Sequence, residues 1–142
     1  MEARRAASSR RQSLEQSQMA ARKVLVVDGD WKIRRLIRTN LEARGLEVVE
    51  AISAGAGQAL AGGGCDLILL SAQLPDANGW NVVGGWRRQG VGAEVPIIVI
   101  VAEPVNPRLL RRFQKVSQLL KPFSAGTLLA CVDRALGARR ER

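Results

Sequence analysis

Four residues of the chain stand where a side chain could do chemistry: Asp28, Asp30, Ser71 and Lys121. Asp28 and Asp30, parted by Gly29, close the apolar run VLVV; Ser71 closes LILL; Lys121 follows Leu119-Leu120. Carboxylates in such a loop suit a divalent cation, which takes hard oxygen ligands. A serine at the end of a buried run is a nucleophile only where a neighbouring base takes its proton. A lysine beside them would supply the charge that a phosphate or carboxylate needs. The chain has no histidine, which excludes His-based triads, His metal sites and His phosphotransfer within it. Its two cysteines, Cys65 and Cys131, lie far apart without CxxC spacing. That argues against a disulfide framework or a zinc site and for two reduced, buried thiols in a cytoplasmic protein.

The elements around these residues decide whether they can meet. Val24-Leu25-Val26-Val27 is continuously apolar and β-branched, which suits a strand buried on both faces. After Asp30, residues Ile33, Leu36, Ile37 and Leu41 recur at helical spacing opposite Arg34, Arg35 and Arg38, and Gly45 closes that helix. Residues 46–50 predict a second strand and 53–61 a weak helix rich in Ala and Gly. The run Gly62-Gly63-Gly64 reads as a flexible connection, because no strand precedes it as a phosphate-cradling loop would require. Residues 66–70 predict the third strand, 79–89 the third helix, 96–101 the fourth strand, 107–115 a basic helix and 116–120 a short fifth strand. Ser124 caps a last helix carrying Leu128, Leu129, Val132 and Leu136 at helical intervals. Five strands alternating with five helices predict an α/β fold, a doubly wound parallel sheet with helices on both faces. Its crevice lies at the C-terminal ends of the strands, where Asp28, Asp30, Ser71, Val101 and Lys121 converge.

The net charge of +9 is concentrated at the termini. Residues 1–23 carry six Lys/Arg against two Glu, and residues 137–142 carry three Arg against one Glu. The expected organisation is a basic, disordered tail over 1–22, one domain over 23–137 and a basic tail over 138–142. Met19 opens MAARKVLVVD directly before the first strand, so residues 1–18 are read as an extension from an upstream start codon. No apolar run approaches the roughly 18–20 residues of a membrane span, and the N-terminus has no secretory h-region.

The stretches VLVVDGDWKIRRLIRTNLEARGLEVVEA, DLILLSAQLPDANGW, PIIVIVAE and LLKPF, in this order, resemble the receiver domain of two-component response regulators. The likeness covers about residues 23–137 and implies a (βα)5 flavodoxin-like receiver fold. It also implies a phosphoryl group accepted by an aspartate at the third strand's end, with magnesium held by that aspartate, an acidic first loop and a backbone carbonyl. This chain departs from the pattern. Asp28 matches the first carboxylate, but Gly29 stands at the principal metal-binding one and Ser71 at the phosphoacceptor. Gln73 aligns with the residue that offers its carbonyl. Val101 replaces the hydroxyl that would hold the phosphoryl group, and Gln118 replaces the aromatic switch. Lys121 and Pro122 are kept.

One carboxylate with a neutral Gly29 and a neutral Ser71 is weak in charge for magnesium, so no cofactor is expected, and Asp30 suits a helix cap. Lys121 is expected to pair with Asp28, since a buried ammonium needs a counter-charge. The resulting reading is an atypical, stand-alone pseudo-receiver, not an enzyme, that signals through phosphorylation-independent contact with a protein partner. In this family the docking surface is the fourth helix, fifth strand and fifth helix. Here that face carries Arg108, Arg111, Arg112, Lys115 and Arg134, which suit an acidic partner or form a solvated helix face. A homodimer is a further expectation on partners. The alternative reading is a nucleic-acid or polyanion binder using the tails and Arg-rich helices, but no recognition motif supports it. A third is phosphoryl acceptance at Asp30 or Asp76, neither of which sits at a strand end together with the metal loop.

Overall fold

The computed structural model describes residues 22–140. Ten elements alternate along them: β1 Lys23–Val27, α1 Trp31–Glu42, β2 Glu47–Ala51, α2 Ala54–Ala61, β3 Leu67–Ser71, α3 Gly79–Gln89, β4 Ile97–Val101, α4 Pro107–Arg111, β5 Val116–Leu120 and α5 Ala125–Arg140. The strands form one parallel sheet in the order β2-β1-β3-β4-β5, the doubly wound sandwich expected from the sequence.

Successive strand residues point to opposite faces, which divides the core in two. Val24, Val26, Leu67, Leu69, Ile98 and Ile100 pack under α1 and α5, against Ile37, Leu41, Leu128 and Val132. Leu25, Val27, Ile68, Leu70 and Val99 pack under α2 and α3, against Ala61, Val83 and Trp86. β3 and β4 are buried at every residue, and for that reason they read as unbroken apolar runs. The side chain of Asn78 caps α3 by accepting from Trp80 N, and Gly90, in the left-handed region at φ 76°, ends it. The Arg87 guanidinium then donates to the carbonyls of Gly92, Ala93, Val95 and Gln114, tying the turn after α3 to the approach to β5. Burial pushes its pKa down from the usual arginine value.

Several boundaries differ from the sequence reading. β2 and β3 each begin one residue later than expected, so Ser71 is the last residue of β3 and pairs in register with Ile100. The basic helix expected over 107–115 ends at Arg111. Two residues account for this. Phe113 turns inward to stack on Trp80, with ring centroids 6.1 Å apart, and Lys115 takes a left-handed conformation at φ 56° to feed β5. At the other end, α5 continues to Arg140, through three residues that composition had assigned to the tail. Except for residue 22, the expected N-terminal tail lies outside the described residues. Among the described residues no helix is long and apolar enough to cross a membrane.

Candidate functional site

The sheet brings Asp28, Ser71, Val101 and Lys121 to one end. Asp28 directly follows β1 and is, among the described residues, one of two buried polar ones, 2% exposed; the other is Ser71, 3% exposed. Asp28 Oδ1 accepts a hydrogen bond from Asp30 N at 2.8 Å. Its Oδ2 is buried without a hydrogen-bond partner among the described residues and faces Lys121 Nζ at 3.7 Å. That separation is an ion pair but too long for a hydrogen bond. The expected Asp28–Lys121 pair is therefore in place. Arg34 Nη1 donates to the Asp28 carbonyl at 2.7 Å, fixing the loop from the side of α1.

Asp30 does not join the pocket. Its carboxylate accepts from Lys32 N at 2.9 Å and caps α1, the role its position suggested. Ser71 is closed on its own loop: Oγ donates to Gln73 O at 2.9 Å and accepts from Gln73 N at 3.2 Å. Its hydroxyl thus finds the local backbone and not Lys121. Val101 is 2% exposed and belongs to the apolar layer under α2 and α3. Gln118 has a partner that no sequence signal gave away: its side-chain carbonyl accepts from Val105 N at 2.9 Å, tethering the β4–α4 loop to β5.

Gly29 and Gly79 frame the pocket. A Cβ on Gly29 would meet Pro75 Cδ at 3.2 Å, so a side chain there needs only a small shift of that ring. A Cβ on Gly79 would overlap the Ser71 carbonyl oxygen and stand 2.8 Å from Ala72 Cα. Gly79 N donates to Ala72 O at 2.8 Å, so α3 begins in backbone contact with the end of β3.

Asp76, considered from sequence only as an alternative acceptor, has a capping role that sequence reading missed. From the β3–α3 loop its carboxylate accepts from Ala54 N at 2.9 Å and Gly55 N at 3.1 Å, while Ser53 Oγ accepts from Ala56 N. Together they cap α2. The two backbone N–H groups hold the Asp76 carboxyl below its usual pKa. A folded pKa below the unfolded value means stability that is present above the unfolded pKa and lost as pH falls through the folded one. Asp76→Asn should therefore unfold at lower urea than the parent at about pH 7, and the gap should shrink below about pH 4. A gap constant across that range would contradict the assignment.

The basic face is split. Arg108 and Arg111 on α4, Arg112 just after it and Arg134 on α5 are exposed. Lys115 is half-buried, with Nζ 3.0 Å from Glu94 Oε2. Of the cysteines, Cys131 is buried and its thiol is pushed up by that burial, whereas Cys65 is half-buried, against the expectation of two buried thiols. Trp31 is 57% exposed at the start of α1.

The family model for the response regulator receiver domain matches residues 24–133. The DNA-binding dual master transcriptional regulator RpaA of Synechocystis sp. is 34% identical over 123 residues, 84% of this chain and 51% of the relative. The transcriptional regulatory protein KdpE of Mycobacterium tuberculosis is 40% identical over 110 residues, 75% of this chain and 47% of the relative. The chain thus spans about half the length of the curated relatives it matches. Among solved structures, the chemotaxis response regulator CheY4 of Vibrio cholerae superposes with a TM-score of 0.75 at 28% identity, covering 82% of this chain and 99% of that one.

Proposed function

Because the chain belongs to the response regulator receiver domain family, we propose that it serves two-component signalling as a pseudo-receiver, engaging a protein partner without being phosphorylated. The observation that carries this reading is Ser71 at the end of β3. The position expected to hold the phosphoacceptor holds a buried hydroxyl whose hydrogen bonds both go to the Gln73 backbone. A serine in that state has neither an adjacent base to activate it nor a free proton to give up.

The residues present do not fit a magnesium ion. Such an ion asks for several hard oxygens in near-octahedral array. Asp28 offers one free carboxylate oxygen, and an ammonium stands 3.7 Å from it. The Gln73 carbonyl, which the family pattern gives to the metal, already accepts from Ser71. The pocket's charge is balanced by Lys121 instead, and Gln118 holds the β4–α4 loop through Val105 N. On this reading the domain presents one fixed surface, and the exposed arginines of α4 and α5 suit an acidic partner.

Incubation with acetyl phosphate and magnesium tests the proposal. The intact mass should remain that of the unmodified chain, and the fluorescence of Trp31 and Trp80 should show no saturable magnesium response. A phosphorylated species, or saturation at sub-millimolar magnesium, would overturn it.

A further inference from the structure

Among the described residues β5 is an edge strand that pairs only with β4. Ile97 N donates to Lys115 O at 2.9 Å, and Lys121 N donates to Val101 O at 2.8 Å. In a parallel ladder alternate residues turn both backbone groups to the same neighbour. Lys115, Ser117, Leu119 and Lys121 therefore face β4, and Val116, Gln118 and Leu120 turn their N–H and C=O groups outward. Along this edge runs a groove of about 470 Å³, lined by all five β5 residues and, among others, by Lys115 and by Thr127, Cys131 and Arg134. Among the described residues none that lines it is acidic, and none comes from α4. Leu120 adds an apolar contact, 42% exposed.

Lysines on an edge strand ordinarily guard it against pairing. Here neither flanking lysine is left to do so. Lys115 is drawn to Glu94 and Lys121 to Asp28, so the stretch between them, Val116 to Leu120, is uncharged.

We propose that the outer edge of β5 accepts an extended, acidic segment of a partner protein as a sixth strand, its backbone bonding Val116, Gln118 and Leu120 and its carboxylates facing Arg134. This rests on the docking reading above and specifies its mode. Two other occupants are disfavoured by charge. The N-terminal tail carries six Lys/Arg against two Glu over residues 1–23. A second copy paired edge to edge would bring two such basic grooves together. An added strand gains affinity from main-chain hydrogen bonds and specificity from alternate side chains, and an acidic one also meets the field of Arg134.

A labelled probe peptide of alternating glutamate and valine, added to the full chain, tests this. Two comparators accompany it: the same peptide with lysine for glutamate, and the acidic peptide N-methylated at alternate residues. The acidic peptide should bind saturably and the lysine peptide should not. N-methylation and Arg134→Glu should each weaken binding about tenfold, with the folded state of the variant confirmed by its urea midpoint. On binding, the amides of Val116, Gln118 and Leu120 should gain protection from hydrogen exchange, while those of Ser117 and Leu119, already bonded to β4, should not. Equal binding of the N-methylated peptide, or no saturation up to about 1 mM, would overturn the strand-addition mode. Loss of binding on Arg108→Glu with no gain of amide protection would do the same, yet leave the phosphorylation-independent reading standing. Phosphorylation by acetyl phosphate would remove that reading without touching peptide binding.

Discussion

Gly79→Ala is expected to cost about 3 kcal/mol of folding stability, the upper end of what overpacking ordinarily costs. The added Cβ would lie against backbone, overlapping the Ser71 carbonyl and 2.8 Å from Ala72 Cα. Backbone cannot swing aside as a side chain can, so relief requires α3 to withdraw from β3 or the end of β3 to bend. Either movement strains the 2.8 Å hydrogen bond from Gly79 N to Ala72 O and displaces Ser71 from its contacts with Gln73. Gly84→Ala in the same helix is the control. There a Cβ would meet only the flexible Arg88 guanidinium at 3.4 Å and Phe113 Cε1 at 3.7 Å. Replacing glycine by alanine inside a helix is worth about 1 kcal/mol in favour of folding. Urea unfolding of the two variants should give shifts of opposite sign; equal shifts would show that α3 is not seated on β3 as described.

The second large effect concerns the pocket itself. Lys121→Met is expected to cost about 1–3 kcal/mol, because it leaves the carboxylate of Asp28, 2% exposed, without its ion-pair partner. Lys121 keeps some contact with water, its side chain being 31% exposed, so the loss falls below that of a fully buried pair. Asp28→Asn keeps an acceptor for Asp30 N and removes the charge. The double variant should then cost less than the two single losses added together, by about 1–2 kcal/mol. Additive losses would mean that the two side chains do not interact, and the picture of a self-neutralised pocket would fall.

Much of this was legible in the sequence, for physical reasons. Strands buried on both faces must be apolar throughout, which exposed β1, β3 and β4 as runs. The third helix was placed at 79–89 from the start signal Asn78-Gly79, and Asn78 does cap it. Asp28, Ser71 and Lys121 could be brought together because parallel crossovers leave every strand's C-terminal end on the same side. What escaped was set by distant partners. Asp76 caps a helix 22 residues upstream in the chain, and nothing in PDANG announces that. Gln118 could be read only as a missing aromatic, since its bond to Val105 N depends on where the β4–α4 loop passes. The fourth helix was read four residues too long because its charge pattern continues past Arg111, while Phe113 and Lys115 answer to packing and to the entry into β5. From sequence Ser71 could meet either Lys121 or a local backbone amide, and the tight β3–α3 turn, closed by Gly79, gave it the Gln73 backbone.

The most direct test restores what the pocket lacks. In Gly29→Asp/Ser71→Asp, two carboxylates join Asp28, and Pro75 Cδ, 3.2 Å from the new Cβ, has to move by only a few tenths of an ångström. Three carboxylates repel one another without a cation, and a ligand that binds only the folded state raises the melting temperature. Thermal unfolding of the parent and the double variant, each with and without magnesium, is the measurement. The expected result is a magnesium-dependent rise in Tm for the double variant and none for the parent. An equal rise in both would mean that the parent pocket already holds the ion, and that Ser71 and Gly29 do not mark a site released from metal and phosphate.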